Sequence, residues 1–155
     1  MNRSIAYHIK AKWQRLLRMP RTRGFGVQSP SVYALVRYII NEKQFLKRYQ
    51  IRAASYPNVS KQERLLYRLH HAFTSYEVVV KQMDGLSFLF LDELLHLAHK
   101  RTILVLQGIN YTADAKAIWH SVVADKHTVV TVDLYDCGIV FFDKTKTKQH
   151  FKVNY

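Results

Sequence analysis

The sequence has few of the residues that cross-link a chain or turn it sharply. Of its 155 residues, one is cysteine, three are proline and five are glycine. Because Cys137 has no partner cysteine in the chain, the sequence excludes an internal disulfide and a thiolate metal cluster, as expected in a reducing compartment. No apolar run reaches the roughly 20 residues of a membrane-spanning helix, and the first residues lack the apolar core of a signal peptide. We therefore expect a cytoplasmic protein.

Carboxylates are also scarce, and their distribution divides the chain in two. Residues 1–68 hold 15 of the 24 lysines and arginines but only two carboxylates, so they carry the whole net charge of +13. The remainder is electrically neutral. Such asymmetry indicates a polyanionic partner, either nucleic acid or an acidic membrane surface. The candidate polyanion-binding residues are Lys10, Lys12, Arg15, Arg18, Arg21 and Arg23.

The aromatic residues of this basic region allow more than one interpretation. Residues such as Tyr38 and Phe45 alternate with arginines and lysines, a composition that suits phosphate contacts combined with base stacking. The alternative is that the aromatic residues belong to the core and the charges form a solvated face. A third interpretation is membrane-surface binding by the first helix, although its apolar residues, among them Ile5, Ile9 and Trp13, also fit docking onto the rest of the protein.

The first 75 residues show the periodicity of amphipathic helices. Apolar residues at steps of three or four predict a helix over 5–17 and a second one that begins at Ser29-Pro30, where serine caps the helix and proline opens it. A polar helical segment is predicted over 42–52. The sequence at 60–63 has the spacing of a capping box and predicts the start of a further helix.

Beyond residue 75, strand and helix patterns alternate. The predicted elements are strands at 78–80, 103–106, 129–134 and 139–142, helices at 87–99 and 112–123, and an edge strand at 151–153. A tight turn is predicted at Asp136-Cys137-Gly138. This order indicates an α/β layer fold with four to five strands, mostly parallel and with an antiparallel C-terminal hairpin. The basic helical region 1–75 is expected to pack on the sheet of 76–155 as one compact domain.

Two segments are similar to characteristic segments of a known family. Residues 24–33 read Gly-Phe-Gly-Val-Gln-Ser-Pro-Ser-Val-Tyr, and residues 129–151 contain the closing hairpin and a Lys-Gln-His-Phe tail. They resemble the N-terminal signature His-Gly-Phe-Gly-Val-His-Ser-Pro-Phe-Val-Tyr and the C-terminal hairpin of a bacterial family of class I S-adenosylmethionine methyltransferase-like proteins. Arg23 and Gln28 stand in place of the two signature histidines. The resemblance implies a partial Rossmann-like methyltransferase sheet.

The sequence departs from this family where a cofactor would bind. Class I methyltransferases hold S-adenosylmethionine on a glycine-rich turn after the first strand, and no Gly-x-Gly-x-Gly follows any predicted strand here. Gln107-Gly108-Ile109-Asn110 also replaces the family's Asp-Asp-Ile-His, so the resemblance assigns no metal or substrate role at these positions. We therefore expect a non-catalytic remnant of the methyltransferase fold, without cofactor or metal, that acts as a binding or interaction module.

Alternatives to this expectation stay open. The chain could form a homo-oligomer that covers an exposed sheet edge, or use a divergent S-adenosylmethionine site around 81–85 and 107–110, and so be an active methyltransferase. The basic N-terminal half could instead bind nucleic acid. Asp92, His96 and His99 share a predicted helix face, but we expect a solvated polar face there because no fourth metal ligand is evident.

Overall fold

Five strands of the described residues form one mixed sheet with helices on both faces. The computed structural model describes residues 5–17 and 29–155. Its α-helices are α1 (Ile5–Leu17), α2 (Pro30–Leu35), α3 (Glu42–Arg48), α4 (Lys61–Ala72), α5 (Phe88–Leu97) and α6 (Ala113–Ala124). Its strands are β1 (Glu77–Gln82), β2 (Thr102–Gln107), β3 (Val130–Asp133), β4 (Cys137–Phe141) and β5 (Gln149–Lys152). The predicted α/β class is confirmed.

The strands lie in the order β1-β2-β4-β3-β5. β4 is antiparallel to both of its neighbours, whereas β1 pairs in parallel with β2 and β5 pairs in parallel with β3. In this register Val140 of β4 lies between Leu104 of β2 and Thr131 of β3. The predicted mostly parallel sheet with an antiparallel C-terminal hairpin is thus confirmed, and the predicted edge strand is β5.

Strand β2, which lies between β1 and β4, is buried along its whole length because helices cover both faces of the sheet. Ile103 and Val105 belong to a core cluster that includes residues of α2 and α4. Leu104 and Leu106, which alternate with them, belong to a second cluster that includes Trp119 of α6. The sheet therefore separates two apolar layers, one under α2 and α4 and one under α5 and α6.

Two predicted helix starts form by different means. At Ser60 the predicted capping box is present, because the serine hydroxyl accepts from the Glu63 amide at 3.3 Å and the Glu63 carboxylate accepts from the Ser60 amide at 3.0 Å. At Ser29 the predicted side-chain cap is wrong, since α2 starts there but the serine side chain caps no amide. Pro30 at the first helical position opens this helix instead.

The other helix bounds differ from the predictions by a few residues. The predicted segment 42–52 is helical only to Arg48, and Gln50 takes a left-handed φ of 54°, a conformation that terminates helices. The run at 88–91, which also resembles a strand, lies in α5 as its helical period predicts. Within the described ranges, none of the helices combines the length and apolarity needed to cross a bilayer.

The segment after α2 forms a wide helical turn, and its last carbonyls accept hydrogen bonds from Arg68 of α4. Val36–Ile40 is π-helical, and the amide of Asn41 donates to the carbonyl of Val36 at 3.0 Å. The helix ends there, so its last carbonyls receive no hydrogen bond from an amide of the same helix. The Arg68 guanidinium of α4 donates to the carbonyl of Ile39 at 2.7 Å and to that of Ile40 at 3.4 Å.

Arg68 is completely buried and joins distant segments of the chain. Besides the two carbonyls, its guanidinium donates to the hydroxyl of Tyr155 at 3.0 Å and to the hydroxyl of Tyr56. The carboxylate of Glu42 lies 3.7 Å away. Arg68 is one of the 15 basic residues of the segment 1–68, but its charge is internal and makes no surface contact.

The tight turn of the hairpin lies earlier than the predicted one. Tyr135 and Asp136 join the two strands, and the amide of Leu134 donates to the carbonyl of Cys137 at 2.9 Å. Tyr135 takes a left-handed φ of 73°. The carboxylate of Asp133 accepts from the Tyr135 amide at 2.7 Å and so stabilises this conformation.

The prediction that Cys137 and Gly138 form the turn is wrong, because both residues lie in β4. Gly138 is required there for packing. A Cβ atom at this position would lie 2.4 Å from the ring of Trp119, closer than real Cβ contacts. The glycine therefore allows α6 to approach the sheet and is not a turn signal.

Replacing Arg68 by methionine should destabilise the fold. The variant keeps an unbranched side chain, but the carbonyls of Ile39 and Ile40 lose their donors, and each buried unpaired group costs about 1–3 kcal/mol. We expect urea denaturation to show an unfolding free energy lower by about 3 kcal/mol or more. The matched variant Arg101→Met, at an exposed position, should change it by less than about 0.5 kcal/mol. Equal stabilities of the two variants would contradict this assignment.

Candidate anion-binding site

A cavity of about 630 Å³ lies between α1, the start of α6 and the edge of the sheet formed by β3 and β5. α1 contributes Tyr7, Lys10 and Gln14 to one wall. The loop that follows β2 contributes residues 110–112, and the rest of the lining comes mainly from α6, the hairpin turn and β5. This volume is within the range of small-molecule sites in proteins.

Helix and strand periodicity bring basic side chains from the C-terminal half to this cavity. On α6, Lys116 and His120 are four residues apart and therefore share a helix face. On β5, Phe151 packs against the core beneath the N-terminal helices. His150 and Lys152, which alternate with it, lie on the opposite face and line the cavity.

A carboxylate at the hairpin turn anchors α1 beside the cavity. The Tyr7 hydroxyl donates to one oxygen of Asp136, and the Arg15 guanidinium lies 3.2 Å from the other. The Tyr7 ring also packs edge-on against Tyr111, with 5.4 Å between ring centroids. These contacts fix the helix at the position where Lys10 reaches the cavity wall.

Positive charge dominates the cavity lining. Lys10, Lys116 and Lys152 all line it, and none of them forms an ion pair with a carboxylate of the described residues. Asp133 is the one acidic lining residue in the described chain, and its carboxylate accepts a hydrogen bond from the Tyr135 amide. α6 begins at the wall, so the partial positive charge of its N-terminus adds to that of the lysines. The lining therefore favours an anion.

Aromatic side chains supply the remaining wall. Tyr7 and Tyr111 are half-buried, whereas Tyr135 and Trp119 are buried behind them. The rings of Tyr7 and Tyr135 lie 6.0 Å apart. The cavity thus combines cations with flat apolar surfaces, an arrangement that suits a ligand with both an anionic group and an aromatic ring.

The structure separates the six residues that the sequence predicts as polyanion-binding. Lys10 lines the cavity, Lys12 is exposed elsewhere on α1, and Arg15 is paired with Asp136. The other three lie outside the described residues: Arg18, Arg21 and Arg23. The part of the signature segment from Gly24 to Gln28 lies outside them as well.

Sequence reasoning missed the contributors from the second half of the chain. Lys116, His120, His150 and Lys152 belong to a segment without net charge, so a count of charges does not reveal them. Their spacing, four residues apart on a helix and two apart on a strand, is the signal that places each pair on one face. That the two faces meet follows only from the tertiary structure.

The aromatic residues of the basic half are partly occupied within the protein. Phe45 is fully buried. The ring of Tyr38 lies 4.6 Å from the Arg48 guanidinium and 5.9 Å from that of Arg37. The Tyr38 ring thus stacks on the protein's own arginines, and the core interpretation describes Phe45 better than base stacking does.

The divergent cofactor site predicted around the ends of β1 and β2 overlaps the cavity at one residue. The Gln82 side-chain amide donates to the Gln107 side chain, which is buried. Of the segments 81–85 and 107–110, Asn110 lines the cavity, and its amide nitrogen donates to the Tyr135 carbonyl at 2.9 Å.

The polar residues predicted to share one helix face lie partly outside the helix, because α5 ends at Leu97 and His99 follows it. His96 lies 3.5 Å from Asp92, whereas His99 lies 3.8 Å from Glu77 of β1. In the part of the chain that the structure describes, no group of three histidines, cysteines or carboxylates is arranged to hold a metal ion. Asp92, His96 and His99 thus form surface pairs.

Similarity to known proteins offers no template for this cavity. No family model matches the chain, and neither a curated protein nor a solved structure matches it. The chemistry of the site therefore rests on its own residues, namely three lysines and two half-buried tyrosines around one cavity.

Cys137 should be unreactive in the native protein. The side chain is buried in β4, and desolvation, reinforced by Asp136 and Asp133, raises the pKa of its thiol to about 12. Since the thiolate is the reacting species, we expect Ellman's reagent at about pH 8 to modify the native protein at least about a hundredfold more slowly than the denatured protein. Comparable rates in the two states would show that the thiol is accessible and contradict this placement.

Proposed function

We propose that this protein is a non-catalytic binding module, a remnant of the class I methyltransferase fold, whose cavity beside α1 binds a nucleotide or a similar phosphate-bearing aromatic ligand. The observation that carries the proposal is the convergence of Lys10, Lys116 and Lys152 with Tyr7 and Tyr111 around one cavity. Lysines supply charge-assisted hydrogen bonds to phosphate, and the tyrosine rings supply a surface for a base.

The methyltransferase part of this proposal is supported by the sequence signature and by the form of the sheet. The sheet is mostly parallel and carries its one antiparallel strand in the C-terminal hairpin, as the resemblance implies. Between the signature at 24–33 and β1, the described chain consists of helices and loops. A complete member of the family would carry its cofactor-binding strands and glycine-rich turn in this interval.

The charge of the cavity favours a phosphate-bearing ligand over S-adenosylmethionine. S-adenosylmethionine carries a positively charged sulfonium, which the three lysines would repel, whereas a phosphate is attracted to them. The sequence also offers no glycine-rich turn for the usual cofactor contacts. Retention of the fold with a changed ligand is the interpretation that satisfies both observations.

Calorimetric titration with adenosine monophosphate, adenosine and S-adenosylmethionine tests this proposal. We expect adenosine monophosphate to bind with a Kd on the order of 10–100 µM, and the other two to bind at least about tenfold more weakly. Lys116→Ala and Lys152→Ala should each weaken nucleotide binding about tenfold, because a hydrogen bond to a charged group contributes about 1.5–3 kcal/mol.

Lys126→Ala is the matched control, since Lys126 is exposed and does not line the cavity. It should leave nucleotide affinity unchanged. Absence of nucleotide binding, or equal weakening by all three variants, would contradict a cavity site, and micromolar binding of S-adenosylmethionine would contradict the non-catalytic assignment. Binding of a single-stranded oligonucleotide that falls steeply with salt but is insensitive to Lys116→Ala would favour the basic N-terminal half as the binding region.

An active methyltransferase is the second candidate, and the edge of the sheet favours it. β1 pairs with β2 on one side and has no strand on its other side among the described residues. A partner copy could extend the sheet at this edge. The test is a radiolabelled methyl-transfer assay with cell extract as acceptor. We expect no protein-dependent transfer, and transfer above the background would replace the binding-module proposal with this one.

A further inference from the structure

α1 exposes the face that amphipathic helices usually bury. The exposed fractions of its large apolar residues are 64% for Ile9, 64% for Trp13, 57% for Leu16 and 60% for Leu17. Ala11, on the other side of the helix, is buried against the protein. Of the alternatives that the sequence leaves open for this stripe, docking onto the rest of the described chain does not apply to these four residues. The physical reason is that Asp136 binds Tyr7 and Arg15, which lie on the polar side of α1.

The exposed residues form one continuous stripe with a lysine on each side. With 3.6 residues per turn, Ile9, Trp13 and Leu16 fall on one face of the helix, and Leu17 extends it. Lys10 and Lys12 lie on opposite flanks of this stripe, and both are exposed. Long lysine side chains can place their ammonium groups above an apolar surface in which their methylene stems are buried.

Charge complementarity identifies what would cover this stripe. The chain has no carboxylate before Glu42, so the lysines beside the stripe are its local charges. A partner that covers the stripe therefore needs negative charge around an apolar centre. Phosphates of a nucleic acid would pair with the lysines but would leave the aliphatic side chains in water. A second copy of α1 would bring like charges together. An anionic bilayer offers phosphates and carboxylates at its surface and hydrocarbon directly beneath them, and tryptophan is favoured at that boundary.

The geometry points to α1 as an in-plane membrane-binding helix that docks the protein onto an anionic lipid surface through Ile9, Trp13, Leu16 and Leu17, with Lys10 and Lys12 at the headgroups. The helix lies on the surface and does not cross the bilayer, since its 13 residues are too few to span one. The contacts of Tyr7 and Arg15 with Asp136 hold α1 on the folded domain, so binding of α1 to lipid would hold the whole domain at the surface. The proposal shares Lys10 with the cavity, whereas Lys12 and the four apolar residues do not line it.

Vesicle co-sedimentation of the full chain tests this surface. We expect binding to phosphatidylcholine vesicles that contain about one third phosphatidylserine, and binding at least about tenfold weaker to pure phosphatidylcholine or at high salt. The double variant Ile9→Gln/Leu16→Gln should lose at least about tenfold in affinity for the anionic vesicles. The matched control is Val59→Gln, because Val59 is an exposed apolar residue outside α1 and should be replaced without effect.

Acrylamide quenching of tryptophan fluorescence gives a second readout that needs no variant. Trp119 is buried and Trp13 is exposed, so the quenchable fraction without lipid reports Trp13. We expect anionic vesicles to protect this fraction and to shift its emission to shorter wavelength. Protection without lipid, from residues 18–28 or from a second copy detected by sedimentation, would overturn the proposal. Absence of binding to anionic vesicles, or equal binding by the double variant, would also overturn it.

Discussion

The buried guanidinium of Arg68 is the constraint around which the N-terminal helices are arranged. A charged group removed from water is tolerated only where its donors find acceptors. The π-helical turn supplies two carbonyls that the end of a helix leaves without partners, and the Tyr155 hydroxyl supplies a third acceptor. That hydroxyl donates in turn to the Lys61 carbonyl at 2.6 Å. Helices from the basic half and the segment after β5 thus share one polar junction.

The net charge of the chain says little about where its charge acts. In the basic half, Arg68 is internal, Arg64 pairs with Glu42 and Arg15 pairs with Asp136. In the neutral half, the lysines of α6 and β5 converge on one cavity, while most of that half's carboxylates lie elsewhere. The positive potential of the cavity therefore arises from tertiary neighbours on three elements, and the sequence total conceals it.

Local sequence patterns predict the individual helices and strands. The roles of several residues depend instead on contacts between these elements, which the sequence does not show. The period of α1, the capping box at Ser60 and the apolar run of β2 each specify their own structure, and all three are found. Gly138 resembles a turn residue, but its role is set by Trp119, which is 19 residues away. The helical period of α1 likewise identifies its two faces without stating which one meets the protein. The cavity was missed for the same reason.

The position of β4 has a consequence for how the chain reaches this structure. β4 follows both β2 and β3 in the sequence but lies between them in the sheet. Until residues 137–141 have left the ribosome, the inner edge of β2 and that of β3 have no strand to join them. The sheet therefore closes late, because the β2–β4 pairing joins residues 30 to 38 positions apart in the chain, and such distant pairings are slow to form. A nascent chain would expose the inner edge of β2 from residue 107 until β4 is available, and would depend on β4 for a continuous sheet.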